Sequence, residues 1–232
     1  MSYVSRFGVL MYNFIKINAN IYCQILGELG MFYLIMKALS RVILMLTGGV
    51  KACGMERLPR EGPLIIVSNH QSLLDPVVLL ACIPRKITFM AASYLFKIPV
   101  VAQVLRLAGA VPVHSEKGDV RSFRKALGIL EQGGVIALFP EGGVSPDGNL
   151  RPFMPGWAYL ATKSGAQVLP VVVRGTRRVL PVGSFLLRPG KIRINVGQPL
   201  GFPRKGKIRR EYLEYLNREL EQEMLKLFNA GF

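Results

Sequence analysis

The sequence predicts an α/β domain, a mostly parallel central sheet wrapped by helices, preceded by two helical segments within residues 1–50. Three observations carry this. Beyond Gly48-Gly49, short apolar runs of strand length alternate with amphipathic helical patterns. Runs such as Leu64-Ile65-Ile66-Val67 are apolar throughout, as strands buried on both faces are. A length of 232 residues suits one domain with a full core and leaves little room for a second.

Residues 1–50 are rich in Leu, Ile, Met, Tyr and Phe and contain no proline. Charges at Arg6, Lys16, Glu28, Lys37 and Arg41 interrupt them. No apolar run reaches the roughly 20 residues needed to span a bilayer. Asn13, Lys16, Asn20, Gln24 and Glu28 fall three or four apart and draw one polar stripe along a helix. Lys37 and Arg41 repeat the spacing on a second helical segment. The broad apolar face left over suits either the headgroup boundary of a membrane or a protein core. The chain therefore divides into a helical motif over 1–50, expected to lie on a membrane, and an α/β domain over 51–232.

Within the domain, Leu64 to Val67 reads as a buried strand and Ser72 to about Cys82 as the helix that follows. Ile87 to Ala91 is a short strand, Val100 to Leu107 a helix and Ala110 to Val113 another strand. Asp119 to Gln132 is an amphipathic helix with an acidic start. Val135 to Phe139 is a strand, Pro155 to Ser164 a helix and Val168 to Val173 a strand. Lys191 to Val196 alternates polar and apolar residues, which predicts an edge or half-exposed strand. Ile208 to Phe228 closes the chain as a helix with Glu and Arg on its exposed face. There is no internal repeat and no low-complexity tract.

The formal charge is +16 and the isoelectric point about 10.2. Such a balance fits a partner that is negative over a wide area: nucleic acid, an anionic membrane or an acidic carrier. Nucleic-acid binding would need basic residues interleaved with exposed aromatics, or a recognition helix, and neither pattern is visible. Cys23, Cys53 and Cys82 are odd in number and match no metal spacing, so a reducing, intracellular setting without disulfides is expected. No secretory signal is expected either.

Two stretches carry chemistry. The first is Ser68-Asn69-His70-Gln71-Ser72-Leu73-Leu74-Asp75-Pro76. His70 falls just past the carboxyl end of a buried strand, where α/β proteins place their sites. Asp75 follows in the first turn of the next helix and can point back at the imidazole. A carboxylate on one ring nitrogen sets the tautomer and steadies the cation formed when the other nitrogen takes a proton. Such a histidine can deprotonate a hydroxyl that attacks an activated acyl carbonyl. The competing reading is structural: Ser72-x-x-Asp75 also resembles a capping box, with Pro76 in the first turn.

The second stretch is Leu138-Phe139-Pro140-Glu141-Gly142-Gly143-Val144-Ser145, followed by Pro146-Asp147-Gly148. A strand runs into a glycine turn that permits close backbone approach, and Glu141 can accept bonds from substrate hydroxyls. By itself it also reads as a turn with a buried or capping glutamate.

Together, in order and spacing, these stretches resemble the glycerolipid acyltransferase family, which includes bacterial lysophosphatidic acid acyltransferases. Its first block, Asn-His-x-x-x-x-Asp, is matched by Asn69 to Asp75, and its third by Phe139-Pro140-Glu141-Gly142 with Ser145. Its fourth is matched by Val168-Leu169-Pro170-Val171-Val172-Val173, and Leu95-Phe96-Lys97-Ile98-Pro99 is similar to its second-block region. The resemblance covers about residues 54–200. It implies His70 as general base, Asp75 as its orienter, and Glu141 and Gly142 at the acceptor, with Asn69, Gly143 and Ser145 as further substrate-binding positions. The N-terminal segments resemble the family's membrane-facing two-helix motif. That implies a peripheral, monotopic protein on the cytoplasmic face of the cell membrane.

The sequence departs from the family pattern at three basic positions, occupied here by Ala92, Ser115 and Val144. Either nearby cations substitute, with Lys97, Lys117, Arg121 and Arg151 as candidates, or the acceptor is another lysophospholipid, a glycolipid or a different lipid alcohol. The implied reaction moves a fatty acyl group from an acyl-CoA or acyl carrier protein thioester to a lysolipid hydroxyl, 1-acylglycerol-3-phosphate giving phosphatidic acid. No cofactor is expected beyond the thioester co-substrate, and no metal, since His70 and His114 are the only histidines. Arg174, Arg177 and Arg178, with the run Arg204, Lys205, Lys207, Arg209 and Arg210, suit anionic membrane lipids or the donor's acidic carrier. A hydrolase using the same base on water is an alternative, though the chain has no Gly-x-Ser-x-Gly elbow. A catalytically inactive basic membrane scaffold is the alternative of another class.

Overall fold

A computed structural model describes residues 30–114, 119–184 and 186–230. Helix α1 (residues 30–46) leads into β1 (Val50–Cys53), and β2 (Leu64–Ser68) and α2 (Asp75–Cys82) follow. Next come β3 (Ile87–Ala92), a 3-10 turn over Ser93–Lys97, α3 (Pro99–Leu107) and β4 (Val111–Val113). The second half runs through α4 (Val120–Glu131), β5 (Val135–Leu138), α5 (Gly156–Ser164), β6 (Gln167–Arg174), the short α6 (Thr176–Val179), β7 (Ile192–Val196) and α7 (Arg210–Asn229).

The strands make one seven-stranded sheet in the order β1-β7-β6-β2-β5-β3-β4. Every neighbouring pair is parallel except β6 and β7. Strand β2 lies at the centre, and all five of its residues are buried. Successive side chains point to opposite faces, so Leu64 and Ile66 join one core layer and Ile65 and Val67 the other. The first layer is closed by α1 and α2 through Leu44, Val78 and Leu79. The second is closed by α4, α5 and α7 through Leu130, Trp157, Leu160 and Leu220. Pro170 has no N–H to donate, yet it sits inside β6. Val168 turns its N–H outward to Leu200, and Pro170, two residues on, faces the gap before the β7 ladder begins at Val171.

The expected α/β class and the mostly parallel sheet are found. Strand β1 was not foreseen, because four residues with a half-exposed pattern give almost no periodic signal. Lys191 to Val196 is half exposed as expected but is not an edge, since β1 pairs along its outer side. The helix expected from Ser72 starts at Asp75, because residues 72–74 are spent in the turn that Asp75 closes.

The polar stripe from Asn13 to Glu28 lies outside the described residues. The second segment is α1, and its polarity is inverted relative to solvent. Lys37 Nζ donates to the carbonyls of Ile83 and Pro84 at 2.6 and 3.1 Å, and Arg41 Nε donates to Ala81 O at 3.2 Å. These cations meet the carboxyl end of α2, where the helix dipole favours positive charge. Met31, Leu34, Ile35, Leu39, Val42, Met45 and Leu46 point outward. Among the described residues no helix is long and apolar enough to cross a membrane.

Candidate active site

The carboxyl ends of β2, β5 and β6 converge on His70. The first residue past β2, Asn69, is turned into the sheet. Its side-chain amide donates to Val173 O at 2.9 Å and its oxygen accepts the Val173 N–H at 2.7 Å. This reciprocal pair locks the β2 end to β6 and leaves His70 as the first side chain free to face the site.

His70 Nδ1 lies 2.9 Å from Asp75 Oδ2. That oxygen also accepts the N–H groups of Gln71 and Ser72 at 2.6 and 2.8 Å, while Oδ1 accepts the Thr176 hydroxyl at 2.5 Å. Backbone N–H groups can only donate, so the carboxylate is an acceptor throughout. Nδ1 must then carry a proton, and in the neutral imidazole the lone pair falls to Nε2. The Asp75 side chain is wholly buried and the His70 side chain 13% exposed. The imidazole stacks on Phe139, with ring centroids 4.1 Å apart. One carboxylate oxygen of Asp75 thus meets both the turn N–H groups and the imidazole.

The loop after β5 is tied to the loop after β2. Glu141 Oε1 accepts the His70 N–H at 3.0 Å, and the Ser145 N–H donates to His70 O at 2.7 Å. Glu141 is buried, and its Oε2 has no hydrogen-bond partner among the described residues. Burial pushes its carboxyl up to about 7 from an ordinary 4.5, against the lowering effect of the His70 and Arg151 backbone N–H groups. Gly142 takes a positive φ of 72° in the turn closed by its N–H to Phe139 O, a conformation that favours glycine. The Arg151 guanidinium lies beside Gly143 and its charge acts on Glu141. Ser145 is buried and spent within the loop: it accepts the Gly148 N–H at 3.1 Å, and its hydroxyl lies 2.8 Å from Asn149 O.

The other expected positions lie elsewhere. Lys97 lines a separate hollow of about 590 Å³ beside α3, with Phe96 and Arg106, and forms no bond to His70, Asp75 or Glu141. Arg121 is exposed on α4, Ala92 ends β3, and Val144 is half buried in the β5 loop. Ser115 and Lys117 lie outside the described residues. His114 repeats the His-x4-Asp spacing with Asp119, its Nδ1 2.6 Å from Asp119 Oδ2, but its side chain is 63% exposed beyond the edge strand β4. Among the described residues no group of three or more metal-ligating side chains gathers.

Two contributors gave no sequence signal of their role. Thr176 holds Asp75 from 101 residues away. Phe139 precedes Pro140-Glu141-Gly142, and no neighbouring residue marks it as the platform on which the imidazole stacks.

The model of a protein family described as Acyltransferase matches residues 49–174. A chloroplastic 1-acyl-sn-glycerol-3-phosphate acyltransferase of Brassica napus is 33% identical over 151 residues, covering 63% of this chain and 44% of its own. The Bacillus subtilis 1-acyl-sn-glycerol-3-phosphate acyltransferase is 28% identical over 161 residues, covering 69% of this chain and 78% of its own. The crystal structure of the 1-acyl-sn-glycerophosphate (LPA) acyltransferase PlsC from Thermotoga maritima superposes with a TM-score of 0.66 at 29% identity, over 86% of this chain and 80% of that one. The matches thus span less than half the length of the Brassica relative.

Proposed function

Because the chain belongs to the acyltransferase family, we propose that it is a membrane-surface O-acyltransferase, moving a fatty acyl group from a thioester donor to the hydroxyl of a lysolipid. The acceptor in this reading is 1-acylglycerol-3-phosphate and the product phosphatidic acid, the chemistry for which the named relatives are described. One observation carries it most. His70 commits Nδ1 to Asp75, which leaves Nε2 for a substrate, with the buried, unpartnered Oε2 of Glu141 on the neighbouring loop. A buried oxygen without a partner costs about 1–3 kcal/mol, which a substrate hydroxyl in hydrogen-bond reach offsets.

In the proposed reaction Nε2 takes the acceptor hydroxyl proton as that oxygen bonds to the thioester carbonyl carbon. The carbonyl becomes a tetrahedral oxyanion, and Asp75 stabilises the imidazolium. Collapse re-forms the carbonyl, breaks the C–S bond and returns the proton from Nε2 to the departing thiolate. The N–H groups of Gly143 and Val144 have no acceptor among the described residues and are the donors available to the oxyanion. Arg151, beside Gly143, supplies a cation at the acceptor loop.

The outward apolar residues of α1, with Ile98, Val100, Val101 and Val104 around α3, support a peripheral seat on a membrane. We place that seat on the cytoplasmic face, where anionic lipids meet the basic chain.

The test is acyl transfer by purified protein in anionic lipid micelles, with products followed by mass spectrometry over a panel of lysolipid and lipid-alcohol acceptors. His70→Ala should lower turnover by about 10²–10⁴-fold, the range supplied by general-base catalysis. Full activity in that variant would remove the proposal. Product from a different lysolipid alone would retain the dyad and replace the acceptor.

A further inference from the structure

Beside the dyad, three segments turn apolar side chains into solvent. In the connection from α6 to β7, Val182, Leu186 and Leu187 are exposed, Leu186 at 78%. Met45 and Leu46 at the end of α1 are exposed too, and so is Leu73, which lies between His70 and Asp75 in the chain. Hydrogen bonds draw these segments together. The Ser72 hydroxyl donates to Leu180 O at 2.7 Å. The Gly190 N–H donates to Thr47 O at 2.7 Å, and the Arg188 N–H donates to Val179 O at 2.8 Å across the base of the connection. Farther out, the Ser184 N–H donates to Pro181 O at 3.0 Å and the Leu186 N–H to the Ser184 hydroxyl at 3.2 Å. The connection is thus pinned at its base and bonded within itself, and it still points its leucines outward. Apolar side chains gathered on a surface mark a contact with a partner or a membrane.

The rim of this patch is cationic. Arg178, Arg188 and Lys191 are exposed and, with the half-buried Arg177, line one hollow. Among the described residues none of the four forms an ion pair. Asp147 also lines the hollow, and its carboxylate is held in its own turn by the Asn149 N–H and amide at 3.0 and 2.8 Å. The sequence carries no Asp or Glu from 148 to 210, nor from 29 to 55. Apolar tips edged by cations match the headgroup boundary of an anionic leaflet. They do not match a second copy of the chain, because a formal charge of +16 sets like against like.

We propose that the α6–β7 connection is a second membrane anchor, which dips Leu186 and Leu187 into an anionic lipid leaflet and sets the mouth of the dyad at headgroup depth. The inference rests on the membrane-surface reading and locates a contact at the rim of the site, apart from the outer faces of α1 and α3. The turn that carries the dyad also borders the anchor. Asp75 holds the Ser72 N–H, and the Ser72 hydroxyl holds Leu180. A lipid hydroxyl then meets His70 from the leaflet without leaving it.

The test places a reporter at the tip. Leu186→Trp adds an exposed indole to a chain whose one tryptophan, Trp157, is buried. On phosphatidylglycerol vesicles containing lipids brominated in their acyl chains, the added indole should shift its emission to shorter wavelength and be quenched. The wild type, which reports Trp157 alone, should stay unquenched. Unchanged emission from vesicle-bound Leu186→Trp protein would overturn the proposal. Leu186→Glu/Leu187→Glu changes exposed side chains only, and circular dichroism checks the fold. Its vesicle dissociation constant should rise at least tenfold in co-sedimentation, while transfer to a short-chain, freely soluble acceptor should be unchanged. An equal loss with the soluble acceptor would mean that the connection shapes the site, and a lipid-free dimer that this variant dissolves would assign the patch to a second copy; either result overturns the anchor. Arg178→Glu/Arg188→Glu should abolish the preference for phosphatidylglycerol over phosphatidylcholine vesicles. Quenching does not require turnover. A protein that is quenched and transfers nothing would sink the acyl-transfer reading and leave the anchor standing. Transfer without quenching would sink the anchor alone.

Discussion

Asp75 takes four donors on two oxygens: the His70 ring, two backbone N–H groups and the Thr176 hydroxyl. The carboxylate is thereby fixed and in turn fixes the imidazole. Thr176→Val keeps the side-chain shape and removes one donor. It should cost about 1–3 kcal/mol of stability in denaturant titration, because Oδ1 is left buried without its partner. It should also lower kcat by about tenfold, equivalent to 1.4 kcal/mol of lost positioning, with the acceptor KM unchanged. Glu141 makes the opposite kind of contribution. Its folded carboxyl sits at about 7 against an ordinary 4.5, so the native state binds the proton more tightly than the unfolded chain. The stability tied to that proton is fully present below pH 4.5 and is lost as pH rises through 7. The loss is on the order of 3 kcal/mol. Glu141→Gln should flatten the decline in urea-measured stability over this window while lowering transferase activity. An undiminished slope in the variant would show that another group titrates there.

At the scale of elements, the site depends on turns that present three strand ends together. Gly175 links β6 to α6 at a φ of 90°, and a Cβ there would collide with the Lys191 carbonyl oxygen. Gly175→Ala should therefore destabilise by at least about 2 kcal/mol, combining backbone strain with a clash against main chain that cannot give way. Displacing α6 also moves Thr176 and Arg177, so activity should fall along with the melting temperature. Loss of stability with unchanged kcat would show that α6 does not position the dyad. On the other face, α7 holds the segment that follows the loop after β5 through the buried Asn217 and the half-buried Glu221. Glu221 Oε1 accepts the Phe153 N–H at 2.6 Å, and Asn217 bridges Trp157 Nε1 and Phe153 O at 2.9 and 2.7 Å.

For the whole molecule, the notable feature is the reversal of polarity in α1. Lys37 and Arg41 donate to the carboxyl end of α2, while Leu44 packs inward and Met31, Leu34, Ile35, Leu39, Val42, Met45 and Leu46 face out. Leu34→Glu/Met45→Glu changes exposed residues only, so the fold should hold. Each buried apolar side chain contributes roughly 1.5–3 kcal/mol, so vesicle affinity should fall by an order of magnitude or more. Co-sedimentation with anionic vesicles measures this. Equal pelleting of variant and wild type would mean that α1 does not face the bilayer. Raising the salt should weaken the wild type as well, since about 1 kcal/mol per basic residue near the surface is electrostatic.

Much of this was legible in the sequence because much of it is local. The continuous apolar run at Leu64 to Val67 specified a buried strand, and the alternation with helical patterns specified a mostly parallel sheet. His70 and Asp75 share one strand–turn–helix unit, so their spacing alone brings them within bonding distance. What stayed hidden depends on partners distant in the chain. Thr176 reaches Asp75 only because β6 pairs with β2. Asn69 is consumed by that same pairing. Arg177, Arg178, Arg188 and Lys191 come together only where α6 meets the start of β7. His114 has the spacing of His70 and a different fate, exposed beyond an edge strand. Lys37 and Arg41 drew a stripe whose direction sequence could not orient, because the carbonyls that claim them belong to α2. By itself the sequence determined the periodicities, and hence most of the elements and the nearness of His70 to Asp75. Tertiary structure decided burial, and burial sets which polar groups are satisfied by the protein and which are left for a ligand or a membrane.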